Sequence, residues 1–226
     1  MALVKLNNRG VRNVSAFGSV GGGSMTFIKK LTASSSGTLS FVHGASSVVL
    51  DSTYKKYIFY FKSIHPATNQ AEFSFNGSID AGSNYNVTKT TTVWTAEHRE
   101  DGSGGAFSYY DDKDLAQGTG FQALARETGD DNDLAASGYL CLFNPSSTTF
   151  VKHFIARTNT TYSGASGDDY TQDMYTAGYF NTTSDIDAVQ FKMSCCFTSI
   201  IITSTISNIN LKFCTISGWM YIFKSK

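Results

Sequence analysis

The segment YKKYIFYFKSI, residues 54–64, contains the pattern that decides the fold. Tyr57, Phe59 and Phe61 fall on one side of an extended chain, whereas Tyr60 falls on the other side. Side chains of a β-strand alternate between its two faces, and aromatic residues are common in strands. The segment therefore predicts a β-strand with one face in the core.

Similar alternation recurs along the chain between clusters of Gly, Asn, Asp and Ser. In TFVKHFIART, residues 149–158, Lys152 shares a face with Phe150 and Phe154. AVQFKMS, residues 188–194, alternates in the same way. Further strands are predicted at residues 25–33, 37–42, 71–76, 86–98, 138–143 and 172–180. Many short strands separated by turn residues, without alternating helices, predict an all-β protein, specifically an antiparallel β-sandwich of jelly-roll type.

Two local features lead to further expectations. The turn at His65-Pro66 separates two aromatic-rich strands, which predicts an antiparallel hairpin because proline is confined to turns and strand edges. One helix of about two turns is predicted to begin near Phe121, since Gly118 and Gly120 prevent an earlier start.

Charge and hydropathy exclude two classes of partner. The chain has 18 basic and 18 acidic residues, so no net field attracts DNA or RNA. The longest apolar run is too short and too rich in Ser and Thr to span a bilayer. We therefore expect no nucleic acid partner and no membrane insertion.

Three regions are predicted from composition. Residues 1–24 form an N-terminal arm that ends in a Gly-rich hinge, because GSVGGGS resembles a flexible joint. Residues 25–194 form the sandwich domain. Residues 195–226 form an atypical C-terminal extension without Asp or Glu, whose composition suits strands.

The sequence contains no catalytic motif and no zinc-ligand spacing. We expect a protein that is not an enzyme and that has no cofactor. Ca²⁺ is the one alternative, because Asp130, Asp131 and Asp133 offer hard oxygen ligands, although the glycine and glutamate of an EF-hand are missing.

Tyr- and Asn-rich loops provide candidate ligand-binding residues. Tyrosine supplies rigid amphipathic contact area, and Asn and Ser add adaptable hydrogen bonds. The candidates are Tyr85, Trp94, Tyr162 and Tyr170. The same residue types are ordinary turn formers, so loops without a binding role are the alternative.

Four blocks of sequence resemble a group of virion structural proteins of tailed bacteriophages, in particular marine phages that infect cyanobacteria. They are MALVKLNNRGVRNVSAFGS, GTLSFVHGASSVVLDSTYKKYIFYFKSIHPAT, SGYLCLFNPSSTTFVKHFIA and AGYFNTTSDIDAVQFKMS. The resemblance covers residues 1 to about 194 and includes no catalytic signature. It implies an antiparallel sandwich used in a tail, a tail fibre or a capsid surface.

The resemblance implies a location in the virion, with other virion proteins as partners. Repeated copies imply a homo-oligomer, with a trimer as the first expectation, and a host surface glycan or protein is an expected contact. Within the arm, the docking candidates are Lys5, Asn7, Asn8, Arg9 and Arg12.

Three alternatives stay open. The protein is a carbohydrate-binding module if exposed Tyr residues and Trp94 form a platform on one sheet. It is a polysaccharide depolymerase if distant loops assemble an acidic cleft. The ending after about Ser194 is either a true β-extension or the product of a changed reading frame.

Overall fold

A computed structural model of the chain describes residues 25–33, 35–163, 169–195 and 220–225. The described residues contain β-strands and no helix. None of the described segments is therefore a helix that could cross a membrane. The strands are β1 (Met25–Leu31), β2 (Thr38–Val42), β3 (Lys56–Ile64), β4 (Ala71–Ser78), β5 (Lys89–Arg99), β6 (Gly105–Tyr109), β7 (Gln122–Thr128), β8 (Ala136–Phe143), β9 (Lys152–Ser163), β10 (Asp169–Phe180), β11 (Ala188–Met193) and β12 (Met220–Ser225).

The strands form two antiparallel sheets. The large sheet has the order β1-β12-β3-β8-β9-β10-β5-β6, and the small sheet has the order β2-β11-β4-β7. Successive parts of the chain cross between the sheets: β2 is followed by β3 in the large sheet, and β4 returns to the small one. The all-β prediction is confirmed, and the two sheets pack face to face as a sandwich.

Phenylalanine side chains from both sheets fill the space between them. Phe191 of β11 is fully buried at the centre of the small sheet. Its ring lies 5.3 Å from that of Phe59 on β3 and stacks at 5.8 Å on that of Phe73 on β4. Ring centroids 4.5–7 Å apart are the preferred range for aromatic pairs. The inward positions of residues 54–64 and 188–194 are therefore in the core, as their alternation predicts.

The interior changes character towards the end of the large sheet that contains β5. There the inward positions of β9 and β10 face β7, Thr91 of β5 reaches β7 as well, and several of these positions carry polar side chains. Gln122 is fully buried, accepts a hydrogen bond from the hydroxyl of Thr91 and donates to the carbonyl of Lys113. Hydrogen bonds of this kind offset the cost of burying an amide. One part of the core is therefore aromatic and another is polar.

The helix predicted near Phe121 is wrong. Residues 122–128 form strand β7, which pairs with β4 through an irregular ladder. Ala123, Leu124 and Ala125 are all buried, so both faces of the strand are covered. Helix propensity differs among ordinary residues by at most about 0.7 kcal/mol each, so burial and pairing outweigh it.

The predicted hairpin at His65-Pro66 is also wrong. β3 belongs to the large sheet and β4 to the small sheet, so the turn carries the chain across the sandwich. Both strands bury aromatic residues towards the same core, as the pair Phe61 and Phe73 shows with ring centroids 5.1 Å apart. Facing sheets satisfy this pattern as well as a hairpin would.

The C-terminal extension contributes one described strand. β12 pairs with both β1 and β3 in the large sheet, as expected if the extension forms a strand. The remaining residues of the extension from 196 onwards, and the predicted arm, lie outside the described residues.

Replacing Phe191 with Ala should remove much of the contact between the sheets. We expect the free energy of unfolding to fall by about 3–5 kcal/mol, the usual loss for a buried Phe→Ala change. Urea unfolding followed by tryptophan fluorescence measures it. Phe150→Ala is the control, because this ring is 71% exposed and should cost at most about 0.5 kcal/mol. Equal losses in both variants would contradict the central place of Phe191.

Candidate functional site

The outward face of the large sheet carries a row of aromatic side chains and one guanidinium group. Strand register places Tyr60 opposite Tyr139, Tyr139 opposite Arg157, Arg157 opposite Tyr175, and Tyr175 opposite Trp94. The inward neighbours in these strands are buried, so alternation directs these five side chains outward. We call them the aromatic row.

The middle and one end of the aromatic row form a continuous stack. The rings of Trp94 and Tyr175 lie 3.7 Å apart and are nearly parallel, with an angle of 11°. The guanidinium carbon of Arg157 lies 4.7 Å from the centre of the Tyr175 ring, and its side chain donates hydrogen bonds to both carboxylate oxygens of Asp173. Phe107 of β6 approaches Trp94 from the other side at 5.0 Å. Neighbours therefore flank Trp94 on both sides, and it is not an open platform.

The other end of the aromatic row is more open. Tyr60 is 36% exposed, and its ring meets that of Tyr139 at 6.3 Å and an angle of 58°. Beside this pair on the same face lies Ile155, which is 48% exposed, while its neighbours Ile58 and Cys141 are buried. Burial raises the pKa of the Cys141 thiol, so this thiol is a poor nucleophile. This end offers apolar surface and tyrosine hydroxyl groups to a ligand.

The four ligand-binding candidates from the sequence do not form one site. Trp94 lies in the aromatic row, whereas Tyr162 and Tyr170 stack on each other at 4.8 Å and face the inside of the sandwich. Tyr85 lies in the loop between β4 and β5, where its carbonyl accepts a hydrogen bond from the side chain of Asn76. Three separate places therefore hold these side chains.

Tyr162 and Tyr170 belong to a polar cluster inside one end of the sandwich. The guanidinium carbon of Arg99 lies 4.9 Å from the centre of the Tyr170 ring. Arg126 packs on Tyr110, donates to its hydroxyl and forms an ion pair with Glu127. The pKa of Tyr162 is raised because the ring is buried.

Two side-chain oxygen atoms on β9 and β10 are buried without a hydrogen-bond partner among the described residues. Gln172 donates to Glu97, but its side-chain oxygen has no hydrogen-bond partner among the described residues, and neither does the hydroxyl of Thr158. Buried oxygens of this kind commonly bind ordered water.

The calcium candidates lie in the loop between β7 and β8. Asp130, Asp131 and Asp133 are all exposed, and the ring Nε2 of His65 lies 2.9 Å from the carbonyl oxygen of Asp131. In the described part of the chain no group of three His, Cys, Asp or Glu side chains is placed to hold a metal ion. The calcium prediction stays a prediction.

Among the residues that the structure describes, two carboxyl groups have clearly shifted pKa values, and both are lowered. The pKa of Asp80 falls to about 2, chiefly because its carboxylate accepts hydrogen bonds from Ser78 and Asn84. That of Asp101 falls because Ser103 donates to it. A glycosidase acid needs a raised pKa, so neither group suits that role.

Two buried lysines were missed as special positions by sequence reasoning. Lys89 and Lys152 lie opposite Phe180 on either side of it, and both are fully buried. The Lys89 amine donates to the carbonyls of Val87 and Gly120, at 3.1 Å and 2.5 Å, and lies 5.8 Å from the Phe180 ring centre. The shared face of Lys152 with Phe154 was the one signal in the sequence.

Burial shifts the titration of both lysines. The pKa of Lys89 is lowered to about 7, because the charged form loses its hydration. The pKa of Lys152 is lowered for the same reason, and the nearby carboxylate of Asp185 opposes the shift. The amine of Lys152 donates to the carbonyl of Thr182. Both amines thus hold loops at one end of the sandwich.

The docking candidates Lys5, Asn7, Asn8, Arg9 and Arg12 lie outside the described residues. Comparison with known proteins identifies no relative: no family model matches the chain, and no curated protein and no solved structure shows significant similarity to it. The residues and their geometry are therefore the basis for a functional proposal.

The buried Lys89 should make stability depend on pH. Its pKa is about 7 in the folded chain and near 10.5 when unfolded, so the unfolded state binds more protons between these values. The free energy of unfolding should therefore rise with pH in this window, by up to about 1.4 kcal/mol per pH unit for this group. Lys89→Met should reduce the slope of the free energy of unfolding against pH. Part of the slope should remain, because the pKa of Lys152 is also lowered by folding.

Urea unfolding at about pH 7.5 and about pH 9.5, at one ionic strength, tests this linkage. Replacement of the exposed Lys62 with Met is the matched control, and it should leave the slope unchanged. A Lys89→Met variant with the slope of the unmodified protein would show that Lys89 is not neutralised by folding.

Proposed function

We propose that the protein is a non-enzymatic structural component of a tailed-bacteriophage virion, with a jelly-roll sandwich as its body. The observation that carries the proposal is the order of the strands in the two sheets. In an eight-strand jelly roll the sheets have the orders 1-8-3-6 and 2-7-4-5, and the architecture recurs in viral capsid and lectin domains.

The small sheet follows this order if β2 is counted as the first strand. β2, β11, β4 and β7 then take places one, eight, three and six. In the large sheet β3, β5 and β6 take places two, four and five, and the consecutive strands β8 to β10 together occupy place seven. Because β8, β9 and β10 are three antiparallel strands, the chain leaves β10 in the same direction in which it entered β8, as it would after one strand. The two extra strands within β8 to β10 are therefore compatible with jelly-roll connectivity, and β1 and β12 extend the large sheet beyond β3.

Three further features support a structural role in a particle. Four blocks of the sequence resemble virion proteins of tailed phages, and the chain has no net charge and few charged residues overall. The shifted carboxyl groups do not suit acid catalysis. Under this proposal the protein resides in the virion, meets other virion proteins and copies of itself, and contacts the host surface.

Detection of the chain in purified particles tests the virion proposal. Antiserum against the purified protein should recognise the chain in density-purified phage particles and should label intact particles in immunogold electron microscopy. Pre-immune serum is the control. A chain present in infected cells but absent from purified particles would contradict the proposal.

Carbohydrate binding is a second candidate, favoured by the open end of the aromatic row. Sugar rings pack their C–H groups against aromatic faces, and tyrosine adds a hydrogen-bonding hydroxyl. Tyr60 and Tyr139 are tilted against each other, unlike the closely stacked Trp94 and Tyr175. A host surface glycan would therefore contact the two tyrosines before Trp94.

Glycan-array binding tests this second candidate. If the array identifies a ligand, Tyr60→Ala and Tyr139→Ala should each weaken binding about threefold to tenfold, the loss of roughly one aromatic contact. Phe150→Ala removes a more accessible ring elsewhere and should leave affinity unchanged. Absence of binding would exclude the candidate for the glycans displayed, and release of shorter oligosaccharides would identify a depolymerase instead.

A further inference from the structure

Strand β6 forms one edge of the large sheet, and some of its backbone amides and carbonyls point away from the sheet. Within the described residues β6 is hydrogen-bonded as a strand to β5 alone. The amide of Arg99 donates to the carbonyl of Gly104, and the amide of Tyr110 donates to the carbonyl of Val93. Hydrogen-bonded pairs alternate in an antiparallel ladder, so even-numbered residues of β6 face β5. The amides and carbonyls of Gly105, Phe107 and Tyr109 therefore point towards the open edge.

The side chains of β6 do not protect this edge. Natural edge strands are usually blunted by charged residues, proline or a bulge. The sequence GAFSY contains neither charge nor proline, and its pairing with β5 is regular. At the opposite edge of the same sheet, β1 carries Lys29, Lys30 and an irregular register.

Two large aromatic side chains of β6 are exposed. Phe107 is 72% exposed and Tyr109 is 56% exposed, and both lie on the same face as the aromatic row. Exposed aromatic side chains on an uncharged strand edge are typical of an assembly surface. The edge is also short, which limits the strength of any association through it.

The spacing of the outward-facing residues is symmetric about Phe107. In an antiparallel pair of two β6 strands centred there, Phe107 would lie opposite its own counterpart, and Gly105 opposite Tyr109 of the second copy. All three positions would then form hydrogen-bonded pairs, because their amides and carbonyls point outward. The two Tyr109 rings would cover the two glycines, an arrangement that stabilises strand pairs.

We propose that the β6 edge binds β6 of a second copy of this chain, related by a two-fold axis at Phe107. The occupant is argued from self-complementarity: among antiparallel registers only this one pairs all three outward-facing positions, and the strand GAFSY contains no charged residue that would repel an identical strand. The pair joins two large sheets into one continuous sheet and extends the aromatic row across both copies. Two-fold pairing makes an even-numbered assembly, in contrast to the trimer expected from the family resemblance.

This inference specifies how copies meet in the proposed virion role, and its test uses the purified full-length protein alone. Failure of self-pairing would leave the virion proposal intact. Absence of the chain from particles would equally leave self-pairing intact.

Cysteine cross-linking tests the register. Residues in a hydrogen-bonded antiparallel pair have Cα atoms about 5.5 Å apart, within the range that a disulfide spans. Phe107→Cys should therefore give a covalent dimer under mild oxidation. Phe150→Cys is the matched control, because Phe150 is 71% exposed and lies away from the edge. The unmodified protein controls for the native cysteines.

Sedimentation velocity measures association without a cross-link. The short edge should give a weak dimer, visible as a rise in sedimentation coefficient between about 1 μM and about 500 μM. Phe107→Pro removes one outward amide without removing a hydrogen bond to β5, and it should abolish the rise. Phe107→Lys should do the same through like charge, and Phe150→Lys should not.

Circular dichroism of both Phe107 variants checks that the monomer stays folded. A protein that is monomeric throughout this range, or a dimer that persists in Phe107→Pro and Phe107→Lys, would overturn the proposal. A Phe107→Cys variant that cross-links no faster than Phe150→Cys would overturn the register.

Discussion

The contact of Phe191 with aromatic rings of both sheets is the interaction on which the rest of the structure depends. β11 lies between β2 and β4 in the small sheet, and Phe191 reaches across to β3 in the large sheet. Each buried phenylalanine removes a large apolar surface from water, and ring pairs add about 0.5–1.5 kcal/mol beyond that burial.

Away from this centre, the interior tolerates polar groups only where the backbone or a neighbouring side chain satisfies them. Lys89 illustrates the cost, because its amine is fully buried and relies on two carbonyl oxygens and the Phe180 ring. One of those carbonyls belongs to Gly120, just before β7. The buried amine therefore links β5 to the segment that leads into the small sheet. Burial explains the lowered pKa of Lys89, and attachment of the loops explains why a lysine is buried in this place. Neither observation requires a catalytic role.

The outward face of the large sheet shows how the same register can create and limit a binding surface. Aligned strands bring Trp94, Tyr175 and Arg157 into contact, and the resulting stack stabilises neighbouring strands. The stack also covers the ring faces that a sugar would use. Accessible aromatic side chains on this face therefore include Phe27 and Tyr60 on one side and those of β6 on the other. These two places suit different partners, a ligand on the sheet face and a strand at the sheet edge.

The sequence by itself determined where most of the strands lie and which side of several strands is buried, but not strands β6 and β7. The alternation of side chains between the two faces of a strand predicted the inward positions of Phe59, Phe61 and Phe191. It also placed Lys152 on the same face as Phe154. This information is local, because side chains alternate in any extended chain whatever it pairs with. The strands are long enough for the pattern to be unambiguous over most of the described residues.

Only the tertiary structure decided the partners and register of each strand. Residues 122–128 contain helix-forming residues, but burial of both faces and pairing with β4 make them a strand. Trp94 stacks on Tyr175 only because β5 and β10 align in one register, and a shift by one residue would turn the two rings to opposite faces. Register depends on contacts between distant segments, and the pattern of residues along one segment does not contain it.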